Sequence, residues 1–161
     1  MVIILMGVAG AGKTTIGTAL AAALGWPFYE GDDFHPPGNV DKMTRGIALS
    51  DADRLPWLHA LRSVIDTCLA DNRDAVMTCS ALKRTYRDLL RAERDAVRFV
   101  YLQGTYDLIQ QRLQARQGHF MPAELLRSQF TTLEEPDDAL TIPIVHDTNT
   151  IVEMVRQALA L

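Results

Sequence analysis

The stretch GVAGAGKTT, residues 7–15, constrains the fold of this chain more than any other feature. It follows the apolar run VIILM and matches the spacing G-x-x-x-x-G-K-[ST], in which a glycine-rich loop joins a buried strand to a helix. The backbone N–H groups of such a loop, together with the helix N-terminus, bind phosphate. The motif therefore predicts a nucleotide-binding α/β domain, and a glycine-rich turn with an incidental lysine is the weaker explanation.

Short apolar runs alternate with helical patterns along the whole chain of 161 residues. Strands are predicted at 2–6, 27–29, 75–79, 97–102 and 142–145, and helices at 13–24, 40–44, 51–70, 81–93, 106–116, 122–133 and 150–159. Strands that alternate with helices form a parallel sheet covered on both faces. We expect one three-layer α/β/α domain over residues 1–161, with an acceptor-binding insertion at about 34–58 and a lid at about 116–134.

Charge and composition exclude several classes of protein. The net charge of −4 provides no broad basic surface, which argues against nucleic acid as a partner. No run approaches the roughly 20 apolar residues of a membrane helix, and VIILM is too short for a signal-peptide core. The two cysteines, Cys68 and Cys79, have no C-x-x-C spacing and indicate buried thiols in a reducing compartment. The cytoplasm is the expected location.

The phosphate loop predicts the nucleotide contacts. Lys13 is expected to reach the β- and γ-phosphates, and the Thr14 hydroxyl is expected to bind Mg²⁺, so ATP and Mg²⁺ are the predicted cofactors. The residues predicted to bind the nucleotide here are Gly7, Val8, Ala9, Gly10, Ala11, Gly12, Lys13, Thr14 and Thr15. The motif alone is compatible with a kinase, a motor or a switch.

A second polar cluster, YEGDDFHPPGNVDKM, follows the second predicted strand. The third strand, AVMTCS, ends without an acid, so Asp32 is the predicted group that accepts from Mg²⁺-bound water or from an attacking hydroxyl. Asp33 is equally explained as a turn residue, since Asp is common in turns. His35 is a candidate for binding a substrate hydroxyl, although a histidine in a loop is often only structural.

Cations follow two later elements. Lys83 and Arg87 are four apart on a predicted helix, where they would share a face and could bind an anionic acceptor. Arg112 and Arg116 are also four apart and precede Gly118, which is typical of a lid. We expect Arg112 to contact ATP and Arg116 to stabilise the transferred phosphoryl group. Solvated helix surfaces are the alternative for both pairs.

Five blocks in order, GVAGAGKTT, GDDFHPPGNVDKM, LSDADRLPWL, CSALKRTYRDLLR and GHF with SQFTTLEEP, resemble the gluconokinases. The resemblance spans residues 1 to about 136 and implies a P-loop fold related to shikimate kinases and similar to nucleoside monophosphate kinases. It implies transfer of the ATP γ-phosphate to the C6 hydroxyl of D-gluconate. One departure is Ala48, where the family usually has proline.

The same resemblance implies roles for individual residues. Lys13, Asp32 and Arg116 would be catalytic, and Thr14 and Asp32 would serve the metal. The gluconate site would contain Asp32, His35, Arg54, Lys83, Arg87, His119 and Gln129. A homodimer is plausible by family likeness alone. A kinase for another small acid such as shikimate, or a nucleotide-dependent switch, remains the alternative.

Overall fold

A parallel sheet of five strands forms the centre of the structure, a computed structural model that describes residues 1–92, 95–115 and 123–161. The strand order is β2-β3-β1-β4-β5, and every pairing is parallel. The strands are β1 (Val2–Met6), β2 (Phe28–Tyr29), β3 (Ala75–Thr78), β4 (Val97–Gln103) and β5 (Leu140–Pro143). The predicted fold class is confirmed.

The central strand β1 is buried on both faces, as its continuous apolar sequence requires. Its alternate residues enter two separate core clusters, because neighbouring side chains on a strand point to opposite faces. Ile3 and Leu5 pack on one face, while Val2, Ile4 and Met6 pack on the other. The sheet is therefore the middle of three layers.

Helices cover both faces of the sheet. The first cluster receives side chains of α1 (Lys13–Leu24), α5 (Tyr106–Ala115), α6 (Ala123–Thr132) and α7 (Thr148–Leu159). The second cluster receives side chains of α3 (Asp51–Ala70) and α4 (Arg84–Arg91). A short 3₁₀ turn, Gly31–Phe34, and helix α2 (Pro37–Thr44) lie between β2 and α3. Of the helices in the described ranges, none is long and apolar enough to cross a membrane.

Local signals in the sequence explain the ends of two long helices. Helix α1 ends at Gly25, whose φ of 68° is the left-handed conformation that glycine adopts without strain. Helix α3 begins after Ser50, whose side chain accepts from the Asp53 N–H while the Asp53 carboxylate accepts from the Ser50 N–H. Trp57, Leu58 and Leu61 of α3 are at most 1% exposed, as their predicted place in the core requires.

The predicted start of α4 at residue 81 is wrong. Helix α4 begins at Arg84, because Ala81 has a left-handed φ of 42° and Lys83 has an extended backbone. The residues between them form a turn that carries Lys83 at the carboxyl end of β3. Lys83 therefore belongs to a loop, which is where ligands bind in parallel sheets.

Two other elements are displaced from their predicted positions. The strand predicted at 142–145 is Leu140–Pro143, because pairing with β4 sets its register, with Val100 opposite Leu140. The short helix predicted at 40–44 begins earlier, at Pro37, since proline fits the first turn of a helix.

Candidate active site

The phosphate loop lies between β1 and α1, as predicted. Gly10 has a φ of 82°, and a Cβ there would come within 2.8 Å of Leu113 Cγ, so α5 packs directly on the loop. The Lys13 ammonium donates to the carbonyl oxygens of Gly7 and Val8, at 3.1 and 3.0 Å. These hydrogen bonds hold the Lys13 ammonium against the phosphate loop, where it is predicted to bind the nucleotide.

The charges of Lys13 and Asp32 both act on the same buried thiol, that of Cys79. Burial raises the pKa of Cys79 to about 12, while the charge of Lys13 lowers this pKa and that of Asp32 raises it. The thiol therefore stays protonated at neutral pH. Lys13 follows β1 and Asp32 follows β2, so the predicted phosphate ligand and the predicted base lie at the same carboxyl edge of the parallel sheet. The Asp32 side chain is 72% exposed, which leaves its carboxylate open to a ligand.

A tight contact joins the end of β2 to the end of β3. The Gly31 N–H donates to Thr78 Oγ1 at 2.9 Å, and the Thr78 hydroxyl donates to Glu30 Oε1. The second carboxylate oxygen of Glu30 is buried, and no described residue supplies its hydrogen-bond partner. A Cβ on Gly31 would lie 1.9 Å from the Thr78 carbonyl oxygen, so only glycine fits there. This contact fixes the position of the segment that carries Asp32.

His35 is held between three groups. Its ring stacks on Trp57 with the centroids 4.2 Å apart and 14° between the planes. Its Nδ1 lies 3.2 Å from Asn39 Nδ2, and its Nε2 lies 4.0 Å from Asp32 Oδ1. Burial lowers the pKa of His35; Asp32 raises it and Arg54 lowers it by smaller amounts. The imidazole is therefore neutral near pH 7.

Arg54 and Lys83 come together around one tyrosine, Tyr86. The Arg54 guanidinium and the Lys83 ammonium each lie 5.8 Å from the Tyr86 ring centroid. Asp51 accepts from Lys83 Nζ at 2.8 Å with both oxygens and from the Tyr86 hydroxyl. Hydrogen bonds from Lys83 first, and then from Tyr86, lower the pKa of Asp51. Lys83 and Tyr86 thus bind one carboxylate, that of Asp51, with the Arg54 guanidinium beside the same ring.

Arg87 is placed differently from its expected position beside Lys83. The shared helix face predicted for the two cations is wrong, because Lys83 precedes the helix. Arg87 is 3% exposed and donates to the carbonyl oxygens of Ala81 and Leu82, at 3.0 and 3.3 Å. Its guanidinium therefore fixes the backbone of the turn before α4.

The turn before α4 is also held by residues that follow α6. The Glu134 N–H donates to the Leu82 carbonyl at 2.8 Å, and the Glu134 carboxylate accepts from the Arg84 N–H. The LEEP segment, residues 133–136, therefore ties the chain after α6 to the loop that carries Lys83.

Gln129, predicted to lie in the lid, and Arg112, predicted to contact ATP, each make a hydrogen bond to the backbone of another segment. Gln129 of α6 accepts from the Ala9 N–H through Oε1 at 2.7 Å, so it contacts the phosphate loop. Arg112 of α5 donates to the carbonyl of Ile144, just after β5. Arg116 and His119, for which catalytic and substrate roles are predicted, lie outside the described residues.

Comparisons with known proteins show which family the chain resembles. The family model for shikimate kinase matches residues 9–134. The thermosensitive gluconokinase of Escherichia coli (strain K12) is 48% identical over 159 residues, which cover 96% of this chain and 85% of that protein. The gluconokinase of Gluconobacter oxydans (strain 621H) is 50% identical over 136 residues, which cover 84% of this chain and 76% of that protein. The chain belongs to the gluconokinase family.

Solved structures extend the comparison. A gluconokinase from Sinorhizobium meliloti 1021 superposes with a TM-score of 0.89 at 42% identity, covering 98% of this chain and 90% of that one. Shikimate kinase from Bacteroides thetaiotaomicron reaches a TM-score of 0.71 at 17% identity, covering 100% and 99%, and shows the fold alone. The gluconokinase resemblance seen in the sequence is thereby confirmed.

The sequence of this gluconokinase family member did not indicate a role in the site for three residues: Glu30, Asn39 and Tyr86. Glu30 follows β2, but the sequence favours Asp32 and Asp33 as the acids that follow this strand. Its pairing with Thr78 arises only when β2 and β3 meet. Within the described ranges, no group of three or more His, Cys, Asp or Glu side chains is arranged to hold a metal ion.

Proposed function

We propose that this chain transfers the γ-phosphoryl group of ATP to the C6 hydroxyl of D-gluconate, giving 6-phospho-D-gluconate and ADP. The observation that carries the proposal is the placement of Lys13 after β1 and Asp32 after β2 at the same carboxyl edge of the parallel sheet, in a chain about half identical to named gluconokinases. A lysine that binds phosphate and an exposed carboxylate at the same edge of the sheet fit a kinase whose acceptor is an alcohol.

On the nucleotide side, the N–H groups of the phosphate loop, residues 7–15, would bind the phosphates. The Lys13 ammonium would leave the carbonyls of Gly7 and Val8 and bind the β- and γ-phosphates, where it offsets charge during transfer. Arg112 would lie beside the adenosine, since it contacts the segment after β5. Arg116 is proposed to stabilise the phosphoryl group as it moves.

Magnesium fits the oxygen donors at this edge of the sheet. Mg²⁺ takes oxygen ligands and keeps several waters, and the buried Glu30 oxygen without a described partner is suited to accept from such a water. Thr14 would bind the ion directly, and Asp32 would contact it through water. When bound with ATP, the ion neutralises phosphate charge.

On the acceptor side, Asp32 would orient the C6 hydroxyl and accept its proton. Arg54 and Lys83 would bind the gluconate carboxylate, for which Asp51 now stands in. We include His35, Arg87, His119 and Gln129 as further gluconate-site residues; for Arg87, the present contacts support a role through the Lys83 loop.

The test compares two neighbouring carboxylates. Asp32→Asn should lower kcat with gluconate by about 10²- to 10⁴-fold, the usual range for loss of a general base. Asp33→Asn is the matched control, since Asp33 is exposed on the same 3₁₀ turn, and it should retain the rate of the unaltered protein. ADP release is followed in a coupled assay with gluconate, shikimate and a nucleoside monophosphate as acceptors.

Each outcome decides a part of the proposal. Loss of rate in Asp33→Asn with full rate in Asp32→Asn would move the base by one residue. Turnover of shikimate without turnover of gluconate would replace the acceptor. Slow ATP hydrolysis that gluconate leaves unchanged would indicate a nucleotide-dependent switch.

The proposed setting is the cytoplasm, since Cys68 and Cys79 are both buried free thiols and suit a reducing compartment. The proposed partner is the small-molecule substrate, with a homodimer as the assembly to test. Sedimentation of the intact chain would distinguish a dimer of about twice 17.9 kDa from a monomer.

A further inference from the structure

The block HPPGNVDKM, residues 35–43, contains a buried hydrogen-bond network. The His35 side chain is only 4% exposed, because its ring stacks on Trp57. Trp57 is itself fixed, since its indole N–H donates to the Gly31 carbonyl at 2.7 Å. So little of the ring is exposed that a sugar acid could touch only its edge. The main role of His35 must therefore be its effect on the residues that contact the ring.

Asn39 determines which nitrogen of His35 carries the proton. Asn39 Nδ2 lies 2.8 Å from the carbonyl oxygen of Asp53 and 3.2 Å from His35 Nδ1. A carbonyl oxygen only accepts, so the amide must present its NH₂ group to this side. The second N–H of that group then points at His35 Nδ1, which must accept with its lone pair. In a neutral imidazole, the proton is consequently on Nε2.

The carbonyl that orients Asn39 is itself held firmly. Asp53 lies in the first turn of α3, where Ser50 caps the helix. Its carboxylate accepts from Lys42 Nζ at 2.7 and 2.9 Å, and Lys42 belongs to the same helix α2 as Asn39. Asn39 is only 5% exposed. Helices α2 and α3 are therefore joined at the point that fixes the His35 ring.

The protonated nitrogen faces the proposed base. His35 Nε2 lies 4.0 Å from Asp32 Oδ1, which is about 1 Å too long for a direct hydrogen bond. The Asp32 side chain is 72% exposed, so it has room to rotate toward the ring. The charged groups facing His35 are the Asp32 carboxylate from the 3₁₀ turn and the Arg54 guanidinium from α3; Asn39 and Trp57 are neutral.

We propose that Asn39 is a positioning residue that holds His35 as the neutral Nε2–H tautomer, and that this N–H steers the Asp32 carboxylate toward the acceptor hydroxyl. The tautomer follows from the geometry alone. The catalytic part rests on the function proposed above. Asn39 would thus act on the reaction through His35 and Asp32, without touching the substrate.

The tautomer is read directly by ¹⁵N NMR of the histidine side chains in the intact protein at pH 7.5. The chain has four histidines, and the His35 signals are assigned as those missing from His35→Gln. We expect a protonated Nε2 and an unprotonated Nδ1 in the unaltered protein. An Nδ1–H tautomer, or an imidazolium, would overturn the proposal without any variant.

The role of Asn39 is tested with Asn39→Ala and with the exposed Asn149→Ala as a matched control. Asn39→Ala should shift the His35 nitrogen signals toward a mixture of tautomers and lower kcat by about 10- to 100-fold, the range found when the hydrogen-bond partner of a metal-bound histidine is removed. Asn149→Ala should change neither. A purely structural role would reduce the folded fraction without altering the nitrogen signals or the pH profile of kcat.

A double variant separates this inference from the proposed function. If Asn39 acts through Asp32, Asn39→Ala should cost nothing further in kcat when Asp32 is already Asn. Equal fold-losses in both backgrounds would overturn the catalytic part. If no acceptor is turned over, the proposed function fails with that part, whereas the NMR measurement still decides whether Asn39 sets the tautomer. Unchanged His35 signals in Asn39→Ala would refute that assignment.

Discussion

Replacing Gly31 with alanine tests how closely the position of Asp32 depends on one backbone contact. The added Cβ would lie 1.9 Å from the Thr78 carbonyl oxygen and 3.0 Å from the Thr78 carbonyl carbon. Non-bonded Cβ contacts essentially never fall below 3.0 Å, so the two segments must separate by about 1 Å. The atoms in the way belong to the backbone of β3, which cannot rotate aside as a side chain would.

The expected cost follows from that displacement. Gly31 is bonded to its neighbour Asp32, so the carboxylate moves with it. A misplacement of about 1 Å at a reacting group costs about 10²-fold in rate, and forcing an extra carbon into a packed site costs about 1–3 kcal/mol of stability. We therefore expect Gly31→Ala to lower kcat with gluconate about 10²-fold and to reduce the free energy of unfolding.

The assay is the coupled ADP measurement, with urea unfolding of the same samples to follow stability. Gly38→Ala is the matched control, because a Cβ there meets nothing within 4 Å and Gly38 lies in α2. That variant should keep its activity and gain up to about 1 kcal/mol of stability, since alanine favours helix over glycine. A Gly31→Ala protein with the activity and urea midpoint of the unaltered chain would refute the reasoning.

Two further predictions concern stability. Hydrogen bonds from Lys42 first, and then from Ser50, lower the pKa of Asp53 from 3.8 to about 2. The Asp53 carboxylate therefore stabilises the fold above about pH 4, and this contribution is lost as the pH falls toward 2. The urea midpoints of the unaltered protein and Asp53→Asn should converge over that interval, and a gap that stays constant would contradict the pairing. Leu61→Ala, at a fully buried position of α3, should reduce the free energy of unfolding by about 2–5 kcal/mol, whereas Leu55→Ala, 47% exposed on the same helix, should change it by less than about 0.5 kcal/mol. Equal losses at the two positions, measured by urea unfolding, would show that burial does not decide the cost.

The features of the fold that the sequence predicts well are those set by nearby residues. The phosphate loop and the bounds of α1 follow from glycine spacing, and the start of α3 follows from the Ser50 cap. The sheet follows from the alternation of strands and helices. Each of these signals lies within a few residues of the structure that it specifies.

The features that the sequence could not predict depend on distant partners. The start of α4 is set by contacts of Arg87 and Glu134 with the preceding turn, and Glu134 is 52 positions after Leu82 in the chain. The register of β5 is set by β4. In the site, the positions of Asp32 and Lys83 after strands can be read from the sequence, but the partners of Glu30 and the burial of Arg87 arise only from packing.

The turn that carries Lys83 has a consequence for binding. Hydrogen bonds from Arg87 and Glu134 fix the carbonyl groups of this turn when the chain folds. The turn also holds Ala81 in a backbone conformation that few residues other than glycine adopt. Ordering a backbone costs about 1–2 kcal/mol per residue in conformational entropy, and here that cost falls on folding. An anion that displaces Asp51 from Lys83 therefore binds a cation on an ordered loop and need not order that loop itself.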